Sequence, residues 1–197
     1  MTHTRIKICG ITRQEDAQAA IAHGADALGL VFYPDSPRHV SAEQAAAIVE
    51  VVPPFVTVVG LFVNEPVASI QRTLKDVGID LLQFHGDESP AFCDQFDRPW
   101  LKALRVRPEL DIRQSCREYS ASRGILLDSW QAGVPGGTGK TFDWELAPHD
   151  LPLPVVLAGG LDASNVGDAI RRLRPAAVDV SGGVEQAPGR KDGVKIS

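Results

Sequence analysis

Residues 154–183 read PVVLAGGLDASNVGDAIRRLRPAAVDVSGG, and this one stretch decides the fold. Pro154-Val155-Val156-Leu157-Ala158 is a continuous apolar run, too short for a core helix and without the polar alternation of a half-exposed strand. Such a run suits a strand covered on both faces. Gly159-Gly160 ends it, helical spacing follows over 164–173, and residues 176–181 form a second apolar run closed by Gly182-Gly183. Strand, helix and strand of this kind make a parallel pair joined by a right-handed crossover.

The same unit recurs toward the N-terminus. Further apolar runs occupy 5–9, 27–32, 56–63, 80–84, 100–106 and 124–128, which brings the strand count to eight. The helical segments between them start at 13–23, where Ala17, Ala20 and Ile21 share a face and Gly24 is a stop. Segment 41–51 opens with Ser41 and Gln44 in capping-box spacing. In 66–77, Pro66 sits in the first turn and Gly78 is the expected C-cap. Segments 88–96 and 108–119 and a short turn near 142–146 complete the alternation. Eight such units without a linker predict a minimal (β/α)8 TIM barrel, one domain over 1–197. A doubly wound open sheet is the alternative, but it usually needs only five or six strands. Only eight residues follow Pro188-Gly189, so the eighth helix has room for about two turns at most.

Composition narrows the function. Twenty Lys+Arg against 25 Asp+Glu give a net charge of −5, which argues against a nucleic-acid partner held by phosphate neutralisation. No apolar run approaches the ~18 residues of a membrane span, and the N-terminus lacks the apolar region of a secretory leader. Three widely spaced cysteines with neither disulfide nor metal spacing suit a reducing compartment. The expectation is a cytoplasmic globular protein, monomer or homodimer, acting on a small molecule.

In a barrel, chemistry gathers where strands end and βα loops begin. Strand one ends in Cys9-Gly10, and the loop after strand two reaches Arg38. Strand four ends in Gln83-Phe84-His85-Gly86 and strand six in Asp128. Gly159-Gly160 and Ser181-Gly182-Gly183 follow strands seven and eight, where this fold commonly holds phosphate on bare backbone N–H groups. Either pair alone could be a tight turn; two pairs in these two loops favour a phosphorylated ligand. Cys9 at a strand end can serve as a proton acceptor, although a lone cysteine is ordinarily a small buried hydrophobe. Asp128 can cap its loop or, with its pKa raised, act as a general acid. His85 orients a group or bonds its own loop. Arg38 is a solvated loop charge or, inside the mouth, a carboxylate clamp. Residues 133–141, GVPGGTGKT, resemble a P-loop, but Val134 stands where the first glycine belongs and no strand leads directly into it. A glycine-rich lid is the better reading of 136–139.

These motifs resemble one family. Lys7-Ile8-Cys9-Gly10-Ile11-Thr12, Gly29-Leu30-Val31-Phe32 through Ser36-Pro37-Arg38, Gln83-Phe84-His85-Gly86, Gly136-Gly137-Thr138-Gly139, Leu157-Ala158-Gly159-Gly160-Leu161 and Asp179 through Glu185 are similar, in order, to phosphoribosylanthranilate isomerase. The resemblance implies a (β/α)8 barrel of tryptophan biosynthesis that performs an Amadori rearrangement without cofactor or metal. It makes Cys9 the general base, Asp128 the general acid and Arg38 the holder of the anthranilate carboxylate. Gly159, Gly160, Ser181, Gly182 and Gly183 become the phosphate cradle, with His85 in the substrate site. Two departures stand out. Gly182 replaces the second serine of the usual Ser-Ser-Gly, and the early C-terminus leaves Ile6, Ile8, Val178 and Val180 thinly covered. A related histidine-pathway isomerase, which carries Asp where this chain has Cys9, and a phosphate-binding barrel without turnover are the rival readings.

Side-chain alternation yields one more expectation. If Cys9 faces the barrel interior, so does Lys7 one layer below, and barrel closure sets Asp179 beside it. A buried Lys7–Asp179 ion pair follows, with the ammonium favouring a Cys9 thiolate.

Overall fold

A computed structural model of the chain describes residues 3–129 and 142–197. Eight parallel strands close into a barrel in sequence order: β1 (Arg5–Cys9), β2 (Ala27–Val31), β3 (Thr57–Phe62), β4 (Leu81–Phe84), β5 (Trp100–Val106), β6 (Ile125–Ser129), β7 (Val155–Leu157) and β8 (Ala177–Val180). The closing pair sets Lys7 opposite Asp179. Helices α1 (Gln14–Ala22), α2 (Ala42–Val49), α3 (Val67–Asp76), α4 (Pro90–Cys93), α5 (Ile112–Glu118) and α6 (Val166–Leu173) lie outside, with a 3₁₀ turn at Trp144–Leu146. Among the described residues no helix is long and apolar enough to cross a membrane.

Continuous apolar strands are explained by two cores. Outward residues such as Leu28, Leu82, Ile125 and Leu157 pack against the helices in one large cluster. Inward residues Leu101, Ala103, Leu126, Val156 and Ala158 fill the barrel floor, and Cys9, Val31 and Leu61 form a smaller cluster. The expected capping box of α2 is present: Ser41 Oγ accepts from Gln44 N, and Gln44 Oε1 accepts from Ser41 N.

Several boundaries differ from expectation for identifiable reasons. Segment 88–96 is helical only over Pro90–Cys93, opened by the Ser89 cap. Helix α5 starts at Ile112, not 108, because the Asp111 side chain accepts from Gln114 N and fixes the cap there. Gly78 does not close α3; Val77 does, already in extended conformation. Gly24, by contrast, is the left-handed stop expected, at φ 89°.

The eighth helix is short and incomplete, as expected, whereas the thin cover expected beside it is corrected. After β8 come a 3₁₀ turn (Gly182–Val184), a hairpin of β9 (Glu185–Ala187) and β10 (Arg190–Lys191), and one turn of α7 (Gly193–Ile196). This short segment covers its neighbours well. Ile8, Val178 and Val180 are buried, and only Ile6, at 36% exposure, is left open. Ile196 is half-buried and packs against the outer core.

Candidate active site

The C-terminal ends of the strands surround one cleft, and Cys9, Arg38, His85, Asp128, Gly159, Gly160, Ser181, Gly182 and Gly183 all line it. The glycine-rich segment 136–139 lies outside the described residues.

Cys9 and Lys7 point inward from β1, as alternation requires. The Lys7 Nζ–Asp179 Oδ1 distance is 2.8 Å, with both side chains buried, so the expected ion pair exists. Gly29 of the neighbouring strand makes room for it. A Cβ there would lie 2.7 Å from Cys9 Sγ and 3.1 Å from Lys7 Nζ. The expected thiolate does not follow. Burial pushes the Cys9 thiol above its ordinary 9.0, and Lys7 and Lys191 only partly offset this. A neighbouring ammonium favours the thiolate, but exclusion of water from a buried sulfur disfavours it more. For Lys7 itself burial pulls downward, while Asp179 and Cys9 outweigh it and hold the ammonium above its usual 10.5.

Asp128 is buried at the end of β6. Its Oδ1 accepts from Ser129 N at 2.8 Å, and Oδ2 is 3.0 Å from Nε2 of His85. Nδ1 of His85 is in turn 3.0 Å from Gln83 Nε2. His85 therefore bonds two side chains rather than its own loop. The loop that carries it is held from behind: Glu88 accepts from Gly86 N and Asn64 N and pairs with Lys102 at 2.8 Å.

The two glycine loops form one continuous surface. Gly159 and Gly160 are successive left-handed residues, φ 84° and 63°, a backbone that glycine adopts at no steric cost. A Cβ at Gly159 would lie 2.5 Å from Ser129 N, and one at Gly183 would overlap the Leu161 carbonyl. Only glycine lets the loops after β6, β7 and β8 approach this closely.

Arg38 is not a free cation. Its Nε and Nη2 donate to the two oxygens of Glu185 at 2.8 and 2.7 Å. This occupies one edge of the guanidinium and leaves the Nη1/Nη2 edge for a second carboxylate. Glu185 also accepts from Lys191 Nζ at 2.9 Å, and the same ammonium donates to the carbonyls of Cys9 (2.6 Å) and Ser181 (3.2 Å). Burial alone would raise Glu185; Arg38 and Lys191 together hold it below the usual carboxylate value. Glu185 and Lys191 were missed in the sequence, as were Gln83 and the His85–Asp128 contact. The signal for the first two was a pair of charges in a glycine-punctuated tail too short to be an ordinary surface helix.

Titratable groups and glycine loops gathered at the C-terminal mouth of a closed parallel barrel place the chain among the (β/α)8-barrel enzymes. A family profile described as N-(5′-phosphoribosyl)anthranilate (PRA) isomerase matches residues 6–197. A Pseudomonas putida (strain W619) protein named N-(5′-phosphoribosyl)anthranilate isomerase is 61% identical over 196 residues, covering 100% of this chain and 95% of the relative. The phosphoribosyl anthranilate isomerase structure from Thermotoga maritima superimposes with a TM-score of 0.91 at 42% identity, covering 98% of this chain and 95% of that one. Another, in complex with reduced 1-(o-carboxyphenylamino)-1-deoxyribulose 5-phosphate, gives 0.87 at 41% identity with the same coverage. The chain belongs to the N-(5′-phosphoribosyl)anthranilate isomerase family.

Proposed function

We infer that this chain isomerises N-(5′-phosphoribosyl)anthranilate to 1-(2-carboxyphenylamino)-1-deoxyribulose 5-phosphate, a step of tryptophan biosynthesis. The observation that carries the reading is that Cys9, Asp128 and the two glycine loops face one cleft. The phosphate sits on the backbone N–H groups of Gly159, Gly160, Gly182 and Gly183, with Ser181 beside them. Arg38 takes the anthranilate carboxylate on the guanidinium edge that Glu185 leaves open.

Asp128 gives a proton to the ribose ring oxygen, the C1′–O bond breaks, and the nitrogen lone pair forms the protonated Schiff base. Cys9, whose thiol is favoured at rest by burial, must lose its proton for this step; it then removes the C2′ proton, and the electron pair of that C–H bond yields the enolamine. In the tautomerisation to the ketone the enol O–H proton leaves while C1′ takes one up; Asp128 regains a proton and Cys9 releases the one it took, so no proton is gained or lost over the sequence. His85 contacts Asp128 and belongs to the substrate site. The chain works as one barrel domain in the cytoplasm, as monomer or homodimer, with a small phosphorylated molecule as its partner. The test is the loss of phosphoribosylanthranilate fluorescence on adding the purified protein; a folded protein that leaves the signal unchanged refutes the reading. Cys9 at the end of β1 separates it from the histidine-pathway type, and absence of turnover on that pathway's aminoaldose checks this.

A further inference from the structure

Asp128 can act as an acid only while it, or a group feeding it, holds a proton. Oδ1 is occupied by the Ser129 amide, which can only donate. The side-chain contact that can share the transferable proton with Asp128 is therefore the one between Oδ2 and Nε2 of His85. The far side of the imidazole decides whether it is there, because a neutral ring donates from one nitrogen and accepts at the other.

Nδ1 of His85 faces the side-chain amide of Gln83, a fully buried residue. Here Gln83 Nε2 is turned to the ring. In that arrangement Nδ1 accepts and Nε2 of His85 donates to Oδ2, so this contact stores no proton on the Asp128 oxygen. Gln83 Oε1 has no hydrogen-bond partner among the described residues, so no other bond fixes the amide. The two ends of an amide fill nearly the same space, and half a turn puts Oε1 against Nδ1. Nδ1 must then carry hydrogen, and the Nε2–Oδ2 contact keeps its proton, on the ring or on the carboxyl. Arg105 is the charged side chain that faces this pair from β5; its Nη2 donates to the His85 carbonyl at 3.1 Å and its Cα pairs with Asp128.

We propose that Gln83 and His85 are positioning residues that load the acid: Gln83 Oε1 receives Nδ1–H of His85, and a proton is thereby stored between His85 Nε2 and Asp128 Oδ2. When Asp128 gives this proton to the ring oxygen, the Oδ2–H bond breaks and the O–H bond of the opened sugar forms. His85 keeps its Nδ1–H on Gln83 Oε1 throughout, and Nε2 is left facing the Asp128 carboxylate until the proton returns. This rests on Asp128 being the acid of the inferred isomerisation.

The deciding measurement needs no turnover. In ligand-free protein labelled with ¹⁵N-histidine at pH 7, two-bond ¹H–¹⁵N correlation reads the protonation of each ring nitrogen, and loss of a signal set in His85→Asn identifies His85 among five histidines. Nδ1 protonated, with or without hydrogen on Nε2, supports the proposal; Nε2–H with bare Nδ1 overturns it. In kinetics, Gln83→Leu should lower kcat by at least about 10-fold with KM within twofold, since it disturbs an acid whose full loss costs 10²–10⁴. Gln83→Glu, whose oxygens can only accept from Nδ1–H when ionised, should recover most of the rate. An unchanged kcat in Gln83→Leu also overturns the proposal. Failure of the unsubstituted protein to consume phosphoribosylanthranilate would instead remove the functional reading and leave the nitrogen assignment standing.

Discussion

The Lys7–Asp179 pair offers the most direct test of how the barrel floor is built. Its charges are 2.8 Å apart with side chains 5% and 7% exposed, so neither can turn to solvent if the other is lost. Lys7→Met leaves the Asp179 carboxylate buried and without its ammonium, a change that costs about 3–5 kcal/mol. Against a total stability of ~5–15 kcal/mol that is a large fraction. With a urea m value of about 2–3 kcal/mol/M the unfolding midpoint should fall by about 1–2.5 M, followed by tryptophan fluorescence. Removing both charges should do less harm than removing one. Lys7→Met/Asp179→Leu is therefore expected to recover much of the loss, with a double-mutant cycle giving the coupling directly.

The pair also has a pH signature. Lys7 is held above its ordinary 10.5, so its contribution is fully present below that value and lost only as pH climbs through the folded-state pKa. The stability difference between unsubstituted protein and Lys7→Met should stay level from neutral pH to about 10, then shrink. A single-substitution cost under about 1 kcal/mol, the range of exposed pairs, would refute the buried-pair reasoning. So would a double substitution as damaging as the sum of the two singles.

Four further outcomes are expected. Because burial raises the Cys9 thiol, its alkylation by iodoacetamide should have a midpoint above 9.0, and Lys7→Met should move that midpoint higher; a midpoint below 9 contradicts this. Cys9→Ala should cut kcat by at least ~10² in a folded protein, and activity near normal would remove Cys9 from the mechanism. Asp128→Asn should do the same while a product analogue still binds, and loss of that binding with turnover intact would make Asp128 a binding residue. Arg38→Met should mainly raise KM, since a carboxylate clamp acts in ground and transition state alike, and Glu185→Gln should do so more mildly by loosening its aim; a kcat loss at constant KM in either speaks against the clamp.

What could be read from the chain follows from where each contact lies in the barrel. Lys7 and Asp179 were legible because two regular rules meet there: side chains alternate along a strand, and closure makes the first and last strands neighbours. His85 and Asp128 were each legible as strand-end residues, yet their bond was not. They follow β4 and end β6, two strands apart, and meet only because the sheet curves around the mouth. Glu185 and Lys191 lie in a hairpin with a register shift and a left-handed Gly189, where no period carries side-chain direction. The Cys9 thiolate failed for a different reason. Its charged neighbour was placed correctly, but the sign of a pKa shift is a difference between attraction and lost hydration. Attraction depends on one neighbour, which strand register can name; hydration depends on every atom around the sulfur, including the absent Cβ of Gly29 that lets Lys7 and Cys9 pack together away from water.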